Sequence, residues 1–482
     1  MKSRSRAKSI LKAAVLALTI NACLGAHGAD SALQSSIDSV AALPGGGIVR
    51  LPAGTYVTGS IELKSNVTLH LEDGALLLGS INPYDYRGFS DRDAADQAAS
   101  VNTTPLFALI SARNATNVSI TGSGMIDGRG LELALAIDSL HHTGECIDPN
   151  YSTRRMRPSR RPKLIDFENV AGICIEDVDI KSSAAWGISL NNCDSVTIRN
   201  IDFENRAYWN NDGIDIADCR NVIVEKCRIN SADDGIVLKS FDANNCNDGI
   251  IIRDCDVTSS ASAIKMGTES FGGFKNVLIK NIRVKDTFRS AIALETVDGA
   301  TLENVVVDSI TATNTGNAFF IRLGHRRGAA PGILRNISIS NLYCDIPFGR
   351  PDQNYDLRGP DINVIHNPFP ASITGIPGHR VENVTLRNIE VLYPGRGTKG
   401  MGYIGAYRYK DIPEQIDAYP EFHMFGELPA WGLFVRHVDG LVFDNVRFGT
   451  AAPDYRPVMV AEDDVHNIKG KITDTGVKVR KP

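Results

Sequence analysis

A ten-residue theme recurs along this chain, and its spacing limits the fold more than any other feature. It reads AGICIEDVDI at 171, DSVTIRNIDF at 194, RNVIVEKCRI at 220, DGIIIRDCDV at 248 and KNVLIKNIRV at 275. It returns as DGATLENVVV at 298, RNISISNLYC at 335, ENVTLRNIEV at 382 and DGLVFDNVRF at 439, with looser copies at 65 and 116. The third, fifth, eighth and tenth residues are mostly apolar, so each copy reads as two short strands of period 2 joined by a bend at Asn or Asp. The first five copies start 23, 26, 28 and 27 residues apart. That interval is too short for a strand-helix-strand unit of ~30 residues or more. It matches one coil of an all-β, single-stranded, right-handed parallel β-helix, with coils stacked at ~4.8 Å.

A second strand family runs between the copies: WGISLNN (186), DGIDIAD (212), DDGIVLKS (233), SAIKMGT (262), SAIALET (290) and NAFFIRLG (317). Its inward pairs are Ile188/Leu190, Ile214/Ile216, Ile236/Leu238, Ile264/Met266, Ile292/Leu294 and Phe319/Ile321. The alternate residues then face outward on one wall, in two rows: Asp215, Val237, Lys265, Ala293, Phe320 and Ala217, Lys239, Gly267, Glu295, Arg322. Asp212 and Asp234 head adjacent coils, with Asp233 one residue earlier. Like charges stacked on neighbouring strands destabilise a sheet, so a solvated surface explains this wall poorly and a functional site explains it better.

Stacking accounts for other features without assigning them a function. Cys227 and Cys255 share the inward eighth position, Cys193 and Cys219 precede adjacent copies and could bridge, and the sequons at Asn66, Asn117, Asn336 and Asn383 fall out of the repeat. Gly-punctuated strands over 42–80 begin the stack, and long loops at 345–381 and 392–438 interrupt its late part. Loops of that length on a regular scaffold commonly serve binding. Residues 1–29, with basic MKSRSRAK, an apolar run and the small-residue stretch AHGA, read as a signal peptide ahead of a single catalytic domain at 30–482. Export to the periplasm or the exterior follows, with a lipid anchor at Cys23 as the rival. The net charge of −5 excludes a generally basic, nucleic-acid-coating surface, and no later run is apolar enough to span a membrane. A monomer is expected.

Inverting hydrolysis of a glycoside needs a protonated carboxyl for the leaving oxygen and an ionised one to activate water. Asp212, Asp233 and Asp234 supply that set, and their crowding favours keeping a proton. No cofactor is expected.

The segment NND at 210–212 resembles the Asn-x-Asp motif of the polygalacturonase family of pectin hydrolases, glycoside hydrolase family 28, and Asp233-Asp234 resembles its Asp-Asp motif. GGGIVRLPAGTYVTGSIELKSNVTLHLEDGALLLGS and RPKLIDFENV are similar to that family too, so the resemblance covers most of residues 31–450. It implies a pectin-lyase-like solenoid and a metal-free inverting hydrolase of α-linked galacturonide bonds in pectic polysaccharide, active in pectin degradation and cell-wall organisation. Asp233 would be the general acid, and Asp212 with Asp234 would hold the attacking water.

Two family motifs are replaced. Ala261-Ser262-Ala263 stands where Gly-His-Gly is usual, and Ala293-Leu294-Glu295 where Arg-Ile-Lys grips a galacturonate. Rhamnogalacturonan hydrolases of the family also lack those motifs, so either substrate type fits. Substrate contacts are expected instead from Asn210, Asp215, Lys239, Lys265, Glu269, Glu295, Arg322, His325 and Arg326, with Tyr419 and His423 from the late loop. An ion pair with Glu295 is the competing expectation for Arg322. A late loop that closes one end of the cleft would make the enzyme exo-acting. A calcium-dependent pectate lyase and a non-catalytic glycan-binding β-helix are the alternatives.

Overall fold

A computed structural model of the chain describes residues 16–19, 26–89, 108–153, 155–352 and 369–478, with side chains from residue 32 onward except 404–409. The structure is all-β with few helices. Among the described residues the strands join in one sheet of 29, through parallel ladders. Each pass of the chain adds a strand to three stacks. One stack contains Ala171–Glu176, Asp194–Arg199 and Arg220–Glu225; the second Asp179–Lys181, Asp202–Asn205 and Arg228–Ser231. The third, here the site wall, contains Lys163–Glu168, Ile188–Asn191, Ile214–Ala217, Ile236–Ser240 and Ile264–Ser270. From Asn247 on, strands also run through the corners, as in Asn247–Ser259, Gly273–Thr296 and Thr301–Leu323.

The inward positions of all three stacks form one core. Ile173 and Ile175, Val222 and Val224, and every inward pair of the site wall are buried, as are Cys227 and Cys255. Cys193 and Cys219 are buried and unbridged. The bends between strands explain the recurring Asn. Asn221, Asn276, Asn304, Asn336 and Asn383 sit at φ of 53° to 59°, a left-handed conformation that Asn tolerates better than most residues. Their amides form a ladder along the stack: Asn304 donates to Asn276, Asn336 to Asn304 and Asn383 to Asn336. The sequons at Asn66 and Asn117 join in the same way, at 2.9 Å.

Two expectations need correction. The copy assigned to 298 is displaced: Lys275 pairs with Glu303 and Val277 with Val305, so the repeat unit is ENVVVDSITA from 303. The 298 frame also places apolar residues, Ala300 and Leu302, at alternate positions, which hid the shift. The outer row through Lys239 and Gly267 is broken as well. Leu238 pairs with Met266 but Ser240 pairs with Ser270, so two extra residues bulge at 267–269. Gly267 is at φ +83°, and a Cβ there would lie 2.6 Å from the Glu295 carbonyl oxygen, so only glycine fits.

Helix Ala26–Ala41 lies against the first strands and covers the open end of the stack through Leu33, Ile37 and Val40. It crosses the expected leader boundary at 29, and residues 1–15 and 20–25 of that leader lie outside the described residues. A second helix, Gly130–Thr143, was not foreseen. The stretch 345–381 holds a site-wall strand, Ala371–Thr374, and 392–438 includes the start of Leu433–Thr450, so both loops are shorter than expected. No helix among the described residues is long and apolar enough to cross a membrane.

Candidate active site

The Asp-Gly-Ile motif is a packing device as well as a chemical one. Gly187 donates to the Asp212 carbonyl at 3.0 Å, Gly213 to that of Asp234 at 2.9 Å, and Gly235 to that of Ser262 at 2.9 Å. A Cβ at Gly213 would meet the Gly235 oxygen at 2.3 Å, and one at Gly235 the Ala263 oxygen at 2.5 Å. These glycines let successive coils approach closely, and the residue before each becomes a stacked head group, Trp186, Asp212 and Asp234, with Ser262, before Ala263, next in the row. Asn211 fixes the turn before Asp212 by donating to the carbonyls of Ser183 and Ala185, both at 2.8 Å.

Asp212, Asp215, Asp233 and Asp234 are all buried at this head. Lys239 reaches Asp215 at 3.0 Å and Asp212 at 3.5 Å, while Lys265 reaches Asp234 at 3.1 Å. Burial raises Asp233, the Asp234 charge raises it further, and Arg289, Lys265 and Arg155 only partly offset them. Burial also acts upward on Asp234, but Lys265, Arg289, Lys239 and the Ser262 N–H outweigh it and hold this carboxyl below its usual value. Burial and Asp215 push Asp212 well up, and burial lifts Asp215 to about 6 against the pull of Lys239. Two adjacent carboxyls in the chain thus favour opposite protonation states, as acid and base catalysis requires.

The late segment reaches this head. The Tyr419 hydroxyl lies 3.3 Å from Lys265 Nζ, and Glu421 pairs with Arg289 at 2.7 Å. Glu295 is buried beside them and lifted to about 8, chiefly by burial, with Lys265 pulling it down, Glu421 and Asp234 raising it and Arg289 lowering it. His423 packs against Phe369 and Phe422 rather than standing free, and burial lowers it to about 4. Phe422, Phe425 and Leu428 form a second apolar cluster with Phe288, Phe320, Phe369 and Phe434. This cluster seats the segment on the later coils of the site wall.

Several expected ligand contacts are engaged elsewhere. The Arg322 guanidinium is buried and donates to Thr374 Oγ1, the Gly375 carbonyl and the carbonyls of Glu414 and Gln415. Neither a substrate contact nor the expected ion pair with Glu295 describes it; it anchors the late loop. Asn210 Oδ1 accepts from Arg161 at 3.0 Å, His325 contacts the Gly328 carbonyl at 3.2 Å, and Arg326 pairs with Asp298 at 2.9 Å. Glu269 pairs with Arg327 at 3.2 Å. Trp186 contacts two ammonium groups, with Lys163 Nζ 4.9 Å and Lys239 Nζ 4.7 Å from its ring centroid.

Arg289 and Arg157 were missed, as was the pairing of Glu421, itself expected among the sugar-binding residues of the late loop, with Arg289. Arg289 donates its backbone N–H to Ala261, one residue before the row Asp234, Ser262, Ser290, so extending the row that contains Asp233 by two coils leads to it. No periodicity marks Glu421 or Arg157, which come from irregular segments.

The family model of glycosyl hydrolases family 28 matches residues 91–302. Over that segment the chain is similar to the family. A polygalacturonase of Ralstonia nicotianae is 23% identical over 72% of this chain and 76% of its own length. An exo-poly-alpha-D-galacturonosidase of Dickeya chrysanthemi is 28% identical over 43% of this chain, which spans only 38% of that protein. The solved family 28 exopolygalacturonase of Yersinia enterocolitica superposes with a TM-score of 0.62 at 18% identity, over 92% of this chain and 75% of its own. That last likeness concerns the fold. These similarities make the protein a glycosidase, and the acid cluster lies within the matched segment.

Proposed function

We propose that this glycosidase hydrolyses α-linked galacturonide bonds of a pectic polysaccharide, of polygalacturonan or rhamnogalacturonan type, with inversion, on a right-handed parallel β-helix. The observation that carries the reading is the split between neighbours: Asp233 is disposed to keep its proton and Asp234 to lose it. Asp233 protonates the leaving oxygen. Asp234, held ionised by Lys265, takes the proton of the attacking water, which Asp212 helps to orient. Asp212 is pushed toward its protonated form, so the role of base falls chiefly on Asp234.

Exo action is supported by the late segment, which sets Tyr419 and Glu421 against the wall beyond the acids, and by the name of the Dickeya relative. Export through a leader at 1–29 and a monomeric state complete the proposal. The test is incubation with polygalacturonan, rhamnogalacturonan and defined oligomers, with products followed by proton NMR. Release of a β-configured reducing end from one chain terminus is expected. A retained α configuration removes the mechanism, an unsaturated product lost on chelation favours the lyase, and inactivity on every α-linked uronide removes the substrate.

A further inference from the structure

The cations around the acid cluster differ in whether they have partners. On the later-coil side each named cation is engaged: Lys239 with Asp212 and Asp215, Lys265 with Asp234, Arg289 with Glu421 and Arg326 with Asp298. Arg157 stands apart. It comes from the segment before the wall strand Lys163–Glu168, which is fixed from within. Ser152 and Arg157 exchange backbone bonds at 3.0 and 3.2 Å, and Asp148 accepts from Asn150 N, Ser159 N and Ser159 Oγ at 3.0, 2.5 and 2.7 Å.

The Arg157 side chain forms no ion pair with any described carboxylate, and its Nη1 is buried without a hydrogen-bond partner. A buried donor without a partner carries a desolvation penalty, and its retention asks for a reason. The group is near the reacting carboxyls. Burial and Arg155 lower its affinity for the proton, to about 10, while Asp233, Tyr208 and Asp212 act in the opposite direction. Neither aspartate reaches it as an ion-pair partner.

We propose that Arg157 is a specificity-determining residue that binds the carboxylate of the substrate sugar lying on the earlier-coil side of Asp212 and Asp233. Its planar fork matches a uronate carboxylate in a way that an ammonium or a neutral donor does not. Because its segment is fixed before substrate arrives, little ordering is needed to form the contact. The inference rests on the pectic reading above and names the residue that selects for acid over neutral sugar.

The test compares the full-length protein with Arg157→Met and Arg157→Lys on free-acid galacturonide oligomers, the same oligomers methyl-esterified, and free galacturonate against galactose in a binding titration. In Arg157→Met, kcat/KM on the free acid falls about 10- to 100-fold, mainly through KM, while activity on the ester barely changes. Arg157→Lys recovers part of the loss. Equal losses on acid and ester, or an unchanged preference for galacturonate over galactose, overturn the proposal. If Arg157→Met does not fold, the acid-to-ester ratio of Arg157→Lys decides, and an unchanged ratio refutes the assignment. Wild-type inactivity on all galacturonides defeats the pectic reading itself, whereas an active wild type with unaltered selectivity in the variants defeats only the role of Arg157.

Discussion

Two neighbouring walls of the same stack carry charge in opposite ways. On the second stack, outward residues alternate in sign from coil to coil: Asp202, Arg228, Asp256 and Arg283 are successive partners in register. Arg228 Nε binds Asp202 at 3.0 Å and Arg283 Nη2 binds Asp256 at 2.6 Å, with both arginines well exposed. These residues line an open trough of about 610 Å³, yet its charges are matched across coils. At the head of the site wall, four aspartates crowd together and are buried. One backbone geometry therefore supports a stabilising ladder where signs alternate in water, and a reactive cluster where like signs are buried.

That contrast can be broken most sharply at Asp233. Asp233→Asn should lower kcat by about 10²- to 10⁴-fold, the usual contribution of a general acid, with an unchanged far-UV spectrum. Asp202→Asn in the trough should leave turnover as it is, and a comparable loss there would erase the distinction. Next in size is stability. Lys265→Met leaves Asp234 buried without its partner and should cost about 3–5 kcal/mol in urea unfolding. Arg228→Met, which opens an exposed pair, should cost less than about 1 kcal/mol.

The third expectation concerns pH. Glu295 titrates at about 8 in the folded chain, well above an ordinary glutamate. Between its unfolded and folded pKa values the folded state binds the extra proton, so its contribution to stability falls as pH rises from about 4.3 toward 8. Glu295→Gln should flatten that decline, raising Tm at pH 8 relative to wild type while changing it little at pH 4. An identical alkaline slope in the two proteins would remove Glu295 as its source. The smallest effect belongs to the bends. Asn304→Ala removes one amide of the ladder and places alanine at φ 59°, for a loss of about 1–2 kcal/mol by thermal unfolding and no change in catalysis.

What the sequence revealed follows the same division. Period-2 strands with one face in a shared core leave a pattern, so Ile188/Leu190 through Phe319/Ile321 were legible one by one. The acid head was legible because the glycine that permits close stacking recurs beside it. Register was lost where both phases of a strand carry apolar residues, as at Ala300/Leu302 against Val305/Val307. Partners were lost where they arrive from irregular segments: nothing in the spacing ties Glu421 to Arg289, 132 residues earlier, or Arg157 to Asp233. Arg322 looked like a wall cation because register places it beside Glu295, but its side chain turns to the loop carbonyls instead.

The position of Trp186 gives the molecule an optical handle. Its indole is buried, with the ammonium group of Lys163 on one contact and that of Lys239 on the other, and Lys239 also holds Asp212 and Asp215. A proton or ligand arriving at those carboxylates alters the field across the ring, so the emission of this one fluorophore is wired to the charge state of the cluster.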